Sequence, residues 1–251
     1  VFAERPAVLA HRGLGRGTVD GLRENTVASF LAAVERGARW VEVDARRTAD
    51  DRLVVLHDPV GPGGGFAVDL TAAELSGQGV TLLEEVLTAL PAGVGVDLDL
   101  KTCLEDAVRP AEETTAALVA RVAAGLAGQR PLLVSSFDPG ALATVRGLAP
   151  ELPLGLLTWK RYPLRKAIPA AVHLGAQVAV PHWAVFGSDS EGTAAGHRSV
   201  GYAVDVAHRA GLELLAWSGD HATAQRLLDA GVDAVCVDDA PGLLATLAGA
   251  G

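Results

Sequence analysis

Short apolar runs alternate along this chain with longer stretches whose apolar residues recur at helical spacing. The strand candidates are Ala7–His11, Trp40–Asp44, Val94–Lys101, Leu132–Ser136, Leu154–Thr158, Gln177–His182, Glu213–Trp217 and Ala234–Asp238. Several are nearly continuous in apolar residues, the pattern of strands covered on both faces. Helical patterns lie between them at Thr26–Arg36, Glu112–Gly125, Gly140–Leu148, Val200–Ala210, His221–Ala230 and Pro241–Leu247. Gly37, Gly211 and Gly231 follow three of these stretches, where a helix C-terminus favours glycine. Strand and helix repeating at this spacing predict parallel pairing through right-handed crossovers. Eight such units with no linker between them predict an α/β fold, a (β/α)8 TIM barrel forming a single domain over residues 1–251.

One apolar run breaks the alternation. Leu53–His57 follows Trp40–Asp44 too closely for a crossover helix, so it returns as an extra hairpin strand after strand 2. With Ala49–Arg52 as the turn, His57 falls opposite Asp44. Between His57 and Thr81 there is room only for a minimal insertion, centred on the glycine-rich Gly61–Gly65. A phosphate cradle is the weaker reading of that run, because neither a Walker lysine nor an immediate helix follows it. Arg16–Gly21 and Phe186–Arg198 are further long polar loops of the kind that shape a barrel mouth.

Composition narrows the function classes. Hydrophobic residues make up 49% of the 251 residues and charged ones 20%, enough for a large core and far from the composition of disorder. A net charge of −9 argues against nucleic acid as a partner and against attraction to anionic membranes. No apolar run reaches the roughly 18 residues that span a bilayer, so stable membrane insertion is not expected. No signal peptide is present, which makes a cytoplasmic location the expectation; the start at Val1 leaves secretion with a leader removed as the alternative. Cys103 and Cys236 are too few for a disulfide framework and read as reduced, packed thiols. Nothing in the sequence points to an oligomeric state.

In a barrel of this kind the chemistry stands at the C-terminal ends of the strands. There the chain carries His11-Arg12-Gly13, Glu42 and Asp44, His57-Asp58, then Asp97, Asp99 and Lys101, and finally Asp238-Asp239. Residues two apart on a strand share a face, so Glu42 joins Asp44, and Asp97 joins Asp99 and Lys101. Carboxylates converging on one mouth repel one another by several kcal/mol unless a cation joins them. Hard oxygen donors of this type favour Mg2+ or Ca2+ over zinc. Ion pairing with arginines in a structural network is the plainer alternative.

The ordered set His11-Arg12-Gly13, Glu24-Asn25-Thr26, Glu42-x-Asp44, His57-Asp58, Asp99-Leu100-Lys101, Ser135-Ser136-Phe137, Ala216-Trp217-Ser218 and Gly231-Val232-Asp233 through Asp239-x-Pro241 resembles the glycerophosphodiester phosphodiesterase family over nearly the whole chain. The resemblance implies a phosphoric diester hydrolase acting on a small glycerophosphodiester. It implies His11 and His57 as a general acid/base pair, and Glu42, Asp44 and Asp99 as ligands of a divalent metal ion. Arg12 and Lys101 correspond to the groups that hold the phosphate, and Trp217 to an aromatic wall of the substrate pocket. Glu24 and Asn25 belong to the helix-entry motif, with Asn25 placed to cap the helix. Three departures stand out: Asp99 occupies the place of a family Glu, Gly61–Gly65 stands where the family often carries an inserted subdomain, and Trp217-Ser218 stands for the family's Trp-Thr.

The chemistry agrees with these roles. A metal with Arg and Lys neutralises the charge that builds on a phosphodiester, and histidine moves protons both ways at neutral pH. The expected reaction releases an alcohol and glycerol 3-phosphate. A phospholipase D-like or phosphatidylinositol phospholipase C-like enzyme, acting on lysophospholipid or inositol phosphodiesters, is the alternative. With no basic amphipathic stretch apparent, a soluble diester is preferred. A catalytically silent phosphate-binding barrel is disfavoured by the presence of both histidines and of Glu42 and Asp44. His173, His197, His208 and His221 read as exposed polar residues, while His182 and Trp159 stand at strand ends where they either line the mouth or pack on the surface.

Overall fold

Alternate residues of the eight apolar runs face the inside of a closed barrel, and the others face a surrounding ring of helices. The structure, a computed structural model, describes residues 1–187, 198–217 and 219–249. The barrel strands are β1 (Ala7–His11), β2 (Trp40–Arg47), β3 (Gly95–Lys101), β4 (Leu132–Ser136), β5 (Leu154–Thr158), β6 (Val178–Pro181), β7 (Glu213–Trp217) and β8 (Ala234–Val237). Each pairs in parallel with the next, and β8 pairs with β1 from Ala7↔Ala234 to Ala10↔Val237, which closes the barrel.

The helices are α1 (Val27–Glu35), α2 (Ala72–Gly77), α3 (Leu83–Ala89), α4 (Thr115–Leu126), α5 (Pro139–Leu148), α6 (Leu164–Leu174), α7 (Val200–Arg209), α8 (His221–Asp229) and α9 (Ala240–Gly249). Among the described residues no helix is long and apolar enough to cross a membrane. Helix α6 carries no clear signal in the sequence, because Pro163 precedes it and Pro169 lies inside it. An interior proline removes one backbone hydrogen bond, yet the helix persists by burying Ala167, Ile168 and Ala171. Helix α1 is capped by Thr26, whose side chain accepts from the Ser29 amide. Asn25, expected as the cap, instead turns its side chain into the barrel.

The returning strand after β2 is present as Leu53–Val55, antiparallel to β2, but its register differs from expectation by one residue. A four-residue turn over Ala49–Arg52 sets His57 opposite Asp44. The chain instead turns over residues 48–52, with Thr48 N donating to Arg52 O and Asp51 at φ 57°. Arg47 therefore pairs with Leu53 and Ala45 with Val55, and the Asp44 carbonyl accepts from Leu56. Thr81–Leu82 adds a further antiparallel strand beside Leu53–Val55, and Thr18–Val19 with Leu22–Arg23 forms a small separate hairpin. Three amides of the Gly61–Gly65 loop are already engaged: Gly61 N donates to Gly65 O, Gly64 N to Gly61 O and Gly63 N to Gln78 Oε1, while Pro62 has no amide hydrogen. A loop with most of its amides committed is a poor phosphate cradle.

The register of β2 on β3 stacks the barrel interior in layers along its axis: Trp40 beside Gly95, Glu42 beside Asp97, Asp44 beside Asp99, and Arg46 beside Lys101. The lowest layer is apolar. Phe2 plugs it with an edge-on contact to Trp40 at 5.1 Å, and Leu9, Leu133, Val178 and Leu215 complete it. Gly95 is required there, since a Cβ at that position would lie 2.3 Å from the Trp40 indole. Polarity then rises toward the C-terminal mouth. The larger core lies between barrel and helices, with Phe30, Val43, Leu98, Leu142 and Leu214 fully buried in it.

Candidate active site

The mouth is built from the turn that ends β1. Arg12 adopts φ 53° and Gly13 φ 94°. Gly13 passes so close to α1 that a Cβ would sit 2.4 Å from Ser29 Oγ and 2.8 Å from the Ser29 backbone, so only glycine fits. The turn folds the buried Arg12 side chain over the acidic layers. Its Nε lies 3.2 Å from Asp44 Oδ2, and its Nη1 lies 3.3 Å from Glu24 Oε1. The Arg12 amide donates to Glu42 Oε2 at 3.2 Å.

Glu42, Asp44 and Asp99 are all buried, and one oxygen from each lies within 4.8 Å of the others. Lys101 Nζ stands 2.9 Å from Asp44 Oδ1 and also bonds Asp99 Oδ2. Asn25 Nδ2 donates to Asp44 Oδ2 at 2.8 Å. Burial alone would raise the Asp44 carboxyl, but Lys101, Arg12 and the Asn25 hydrogen bond outweigh it and pull it down to about 2. The neighbouring acids go the other way. Burial, reinforced by the charges of Asp44 and Asp99, pushes Glu42 well above the usual carboxylate range. Burial also raises Asp99, despite Lys101, and lifts Asp97 to about 8. Lys101 is held above its ordinary value because Asp99, Asp44 and Glu42 outweigh its own desolvation.

These residues are therefore short of positive charge. The Oδ1 atoms of Asp97 and Asp99 are buried with no hydrogen-bond partner among the described residues, and Asp44 Oδ1 meets only the Lys101 ion pair. Orphaned buried carboxylate oxygens are costly, and three hard donors this close suit a divalent cation.

The two histidines flank this cluster. His11 Nδ1 donates to Asp238 Oδ1 at 2.6 Å, and Arg16 Nε holds the other Asp238 oxygen at 2.8 Å. That leaves His11 Nε2 facing inward, 3.8 Å from Glu42 Oε2. Burial would raise Asp238, but the His11 hydrogen bond and charge, with Arg16, bring it down to about 2. His57 lies at the exposed rim with Nδ1 bonded to Asp58 Oδ1 at 2.7 Å. Although it is not paired opposite Asp44, it stays at the mouth because Arg46 reaches from β2 to the Leu56 and His57 carbonyls. Its ring is near enough for a proton on it to be felt by both Asp44 and Asp99. A cleft of ≈ 200 Å³ runs on the hairpin side of His57, lined by Glu24, Asn25, Asp58 and Pro62 among others; the carboxylate trio lies outside it, on the floor of the open mouth.

The opposite wall is aromatic. Trp217 ends β7, donates from Nε1 to Thr158 O at 3.2 Å, and meets Phe137 edge-on at 5.5 Å and His182 edge-on at 4.6 Å. His182 thus lines the mouth, and Phe137 stacks on Trp159 at 4.0 Å. His208 and His221 serve the scaffold, with Nε2 of His208 at 2.9 Å from Asp233 Oδ2 and Nε2 of His221 at 2.9 Å from Asp239 O. His197 and Ser218 lie outside the described residues.

His11, Arg12, Glu42, Asp44, Asp99 and Lys101 thus converge, His57 joins them from the rim and Trp217 from across the mouth. Sequence reasoning missed the Asp238–His11 pair and the Asn25–Asp44 bond. The first was legible from barrel closure, since pairing Ala10 with Val237 sets Asp238 beside His11. The second depends on Asn25 adopting φ 58°, which nothing local announces.

Residues 11–241 match the Glycerophosphoryl diester phosphodiesterase family. A glycerophosphodiester phosphodiesterase of Caldanaerobacter subterraneus is 27% identical over 92% of this chain and 93% of its own. A solved putative glycerophosphodiester phosphodiesterase from Galdieria sulphuraria superposes with a TM-score of 0.79 at 22% identity, covering 97% of this chain and 98% of its own. An Oleispira antarctica phosphodiesterase, solved in complex with the product sn-glycerol-3-phosphate, superposes with a TM-score of 0.74 at 26% identity, covering 97% of each chain.

Proposed function

The chain belongs to the glycerophosphoryl diester phosphodiesterase family and is a phosphoric diester hydrolase, and from that premise we propose that it cleaves glycerophosphodiesters in a metal-dependent reaction, releasing an alcohol and glycerol 3-phosphate. The observation that carries this reading is the buried trio Glu42, Asp44 and Asp99, electrostatically incomplete and flanked by two histidines. The product bound by the Oleispira protein supports the same chemistry.

Glu42, Asp44 and Asp99 would hold Mg2+ or Ca2+ through their clustered carboxylate oxygens, of which Asp99 Oδ1 has no hydrogen-bond partner among the described residues. When bound, the ion supplies Lewis-acid neutralisation of the phosphodiester charge. Arg12 and Lys101 add the fixed cations that hold the phosphate, and their contacts to Asp44 keep them oriented over the same point. The Asp238 bond fixes the Nδ1–H tautomer of His11 and leaves Nε2 free to accept a proton from the mouth. The Asp58 bond orients His57 in the same way. One histidine takes the proton of the attacking oxygen and the other delivers one to the leaving alkoxide. Trp217 walls the substrate on the far side, held in place by Thr158, Phe137 and His182.

The test is release of glycerol 3-phosphate from glycerophosphocholine and glycerophosphoethanolamine by EDTA-stripped protein, with Mg2+ or Ca2+ added back. Release restored by one ion supports the reading and identifies the ion. A folded protein that releases nothing with either ion moves the substrate to lysophospholipids or inositol phosphodiesters.

A further inference from the structure

We propose that residues 159–166, at the rim of the mouth after β5, form a docking surface for an anionic lipid surface. The segment reads Trp-Lys-Arg-Tyr-Pro-Leu-Arg-Lys: four cations and no acid, in a chain whose net charge is −9. Lys160 and Lys166 are two of its three lysines. Trp159, Lys160, Arg161, Tyr162, Arg165 and Lys166 are all exposed. None of the four cations has an ion-pair partner among the described residues, whereas Lys101, the third lysine, is fully engaged with Asp44 and Asp99.

The segment is anchored to the pocket wall and left electrostatically open. Trp159 is 63% exposed yet stacked face to face on Phe137 at 4.0 Å, so one face is fixed and the other meets solvent. The Tyr162 amide donates to the Trp159 carbonyl at 2.8 Å and tightens the loop. Arg165 and Lys166 then occupy the first turn of α6, which has no acidic residue there and no side-chain cap from Pro163. Cations at the positive end of a helix are unfavourable by themselves, and an external anion reverses the sign. Tryptophan and tyrosine interleaved with lysine and arginine is the composition of interfacial segments, with rings at head-group depth and cations among phosphates. Trp183, 36% exposed after β6, neighbours His182, whose ring meets Trp217, and so adds to the aromatic rim of the mouth.

The overall acidity of the chain does not cancel the patch. Charges farther apart than about 8 Å are largely screened at physiological salt, so the local excess governs contact with a surface. Position favours lipid over an extended polyanion. The patch lies on the mouth side of the barrel, joined to the pocket wall through Phe137 and Trp217, and the neighbouring floor of the mouth is acidic. A lipid surface touches the rim alone, whereas a polynucleotide crossing the mouth would meet those acids. Docking here would face the mouth toward the membrane, a geometry that the whole-chain charge did not suggest.

The inference does not depend on turnover, so it is tested by co-sedimentation of the full chain with vesicles. Vesicles of phosphatidylcholine mixed with an equal amount of phosphatidylglycerol are compared with phosphatidylcholine alone, at low and physiological salt. The expected result is binding only to the mixed vesicles, weakened by salt. The combined Arg161→Glu, Arg165→Glu and Lys166→Glu variant should lose at least about a hundredfold in affinity, about fivefold for each cation removed before any repulsion from the new acids. It should melt no lower than the parent and still hydrolyse any soluble diester the parent hydrolyses. Absence of binding to mixed vesicles, equal binding by the triple variant, or tighter capture by a single-stranded oligonucleotide than by vesicles would each overturn the proposal.

Discussion

Asp97 is the acid that the proposed chemistry does not use, and replacing it should stabilise the protein. It lies one layer below the Asp44–Asp99 pair, beside Glu42, with Oδ1 buried and given no hydrogen bond of good geometry among the described residues. Burial, opposed by the neighbouring Ser135 hydroxyl and reinforced by the charge of Asp99, pushes its carboxyl up to about 8 from an ordinary value of 3.8. The sign follows from proton counts. Between pH 4 and pH 8 the folded chain keeps a proton that the unfolded chain has released, so stability falls as pH rises through that window. At about 1.4 kcal/mol per pH unit the cost reaches about 4 kcal/mol at pH 7. Asp97→Asn keeps the shape and removes the titration, so it should gain up to that amount at pH 7 and nothing near pH 4. For a domain of this size that corresponds to a rise in melting temperature on the order of 10 °C. The assay is urea unfolding of EDTA-treated parent and variant at intervals from pH 4.5 to pH 8. Parallel curves, with no divergence as pH rises, would refute the reasoning.

Further outcomes follow from the same geometry. His11→Ala and His57→Ala should each abolish turnover without lowering the melting temperature by more than a few degrees; near-normal kcat at neutral pH in either variant would remove that residue from the acid/base pair. Asp44→Asn should weaken divalent-ion binding at least tenfold by calorimetry, and unchanged affinity would take it off the ligand set. Saturating Mg2+ or Ca2+ should raise the melting temperature of the parent, since an ion at about a hundredfold its Kd contributes about 2.7 kcal/mol, and no rise with either ion would count against the site. Gly95→Ala should destabilise by about 1–3 kcal/mol in denaturant unfolding, because its Cβ would collide with Trp40 at 2.3 Å; a neutral result would show that the lowest barrel layer repacks freely.

The apolar periodicity of the chain was enough to predict the barrel, because strands covered on both faces carry a continuous signal and four of the expected ranges, Ala7–His11, Leu132–Ser136, Leu154–Thr158 and Glu213–Trp217, coincide with the strands observed. The alternation of side chains along a strand likewise placed Glu42 with Asp44, and Asp97 with Asp99 and Lys101, before any contact was known. Which of those pairs meet was decided only by the β2–β3 register, which sets Asp44 beside Asp99 and strands Asp97 beneath. The position of His57 turned on one residue of turn length, a choice made by the Thr48 and Asp51 backbone and not by hydrophobic pattern. The partnership of His11 with Asp238 joins the first strand to the last, so it exists only once the barrel closes. Composition also averaged away the basic rim at 159–166, since a net charge sums over the whole chain while contact with a surface depends on what stands together in space. Local sequence thus determined the elements and their chemistry-bearing ends; long-range pairing decided which charges face one another, because energies between buried ions depend on separations of a few ångströms that no local pattern encodes.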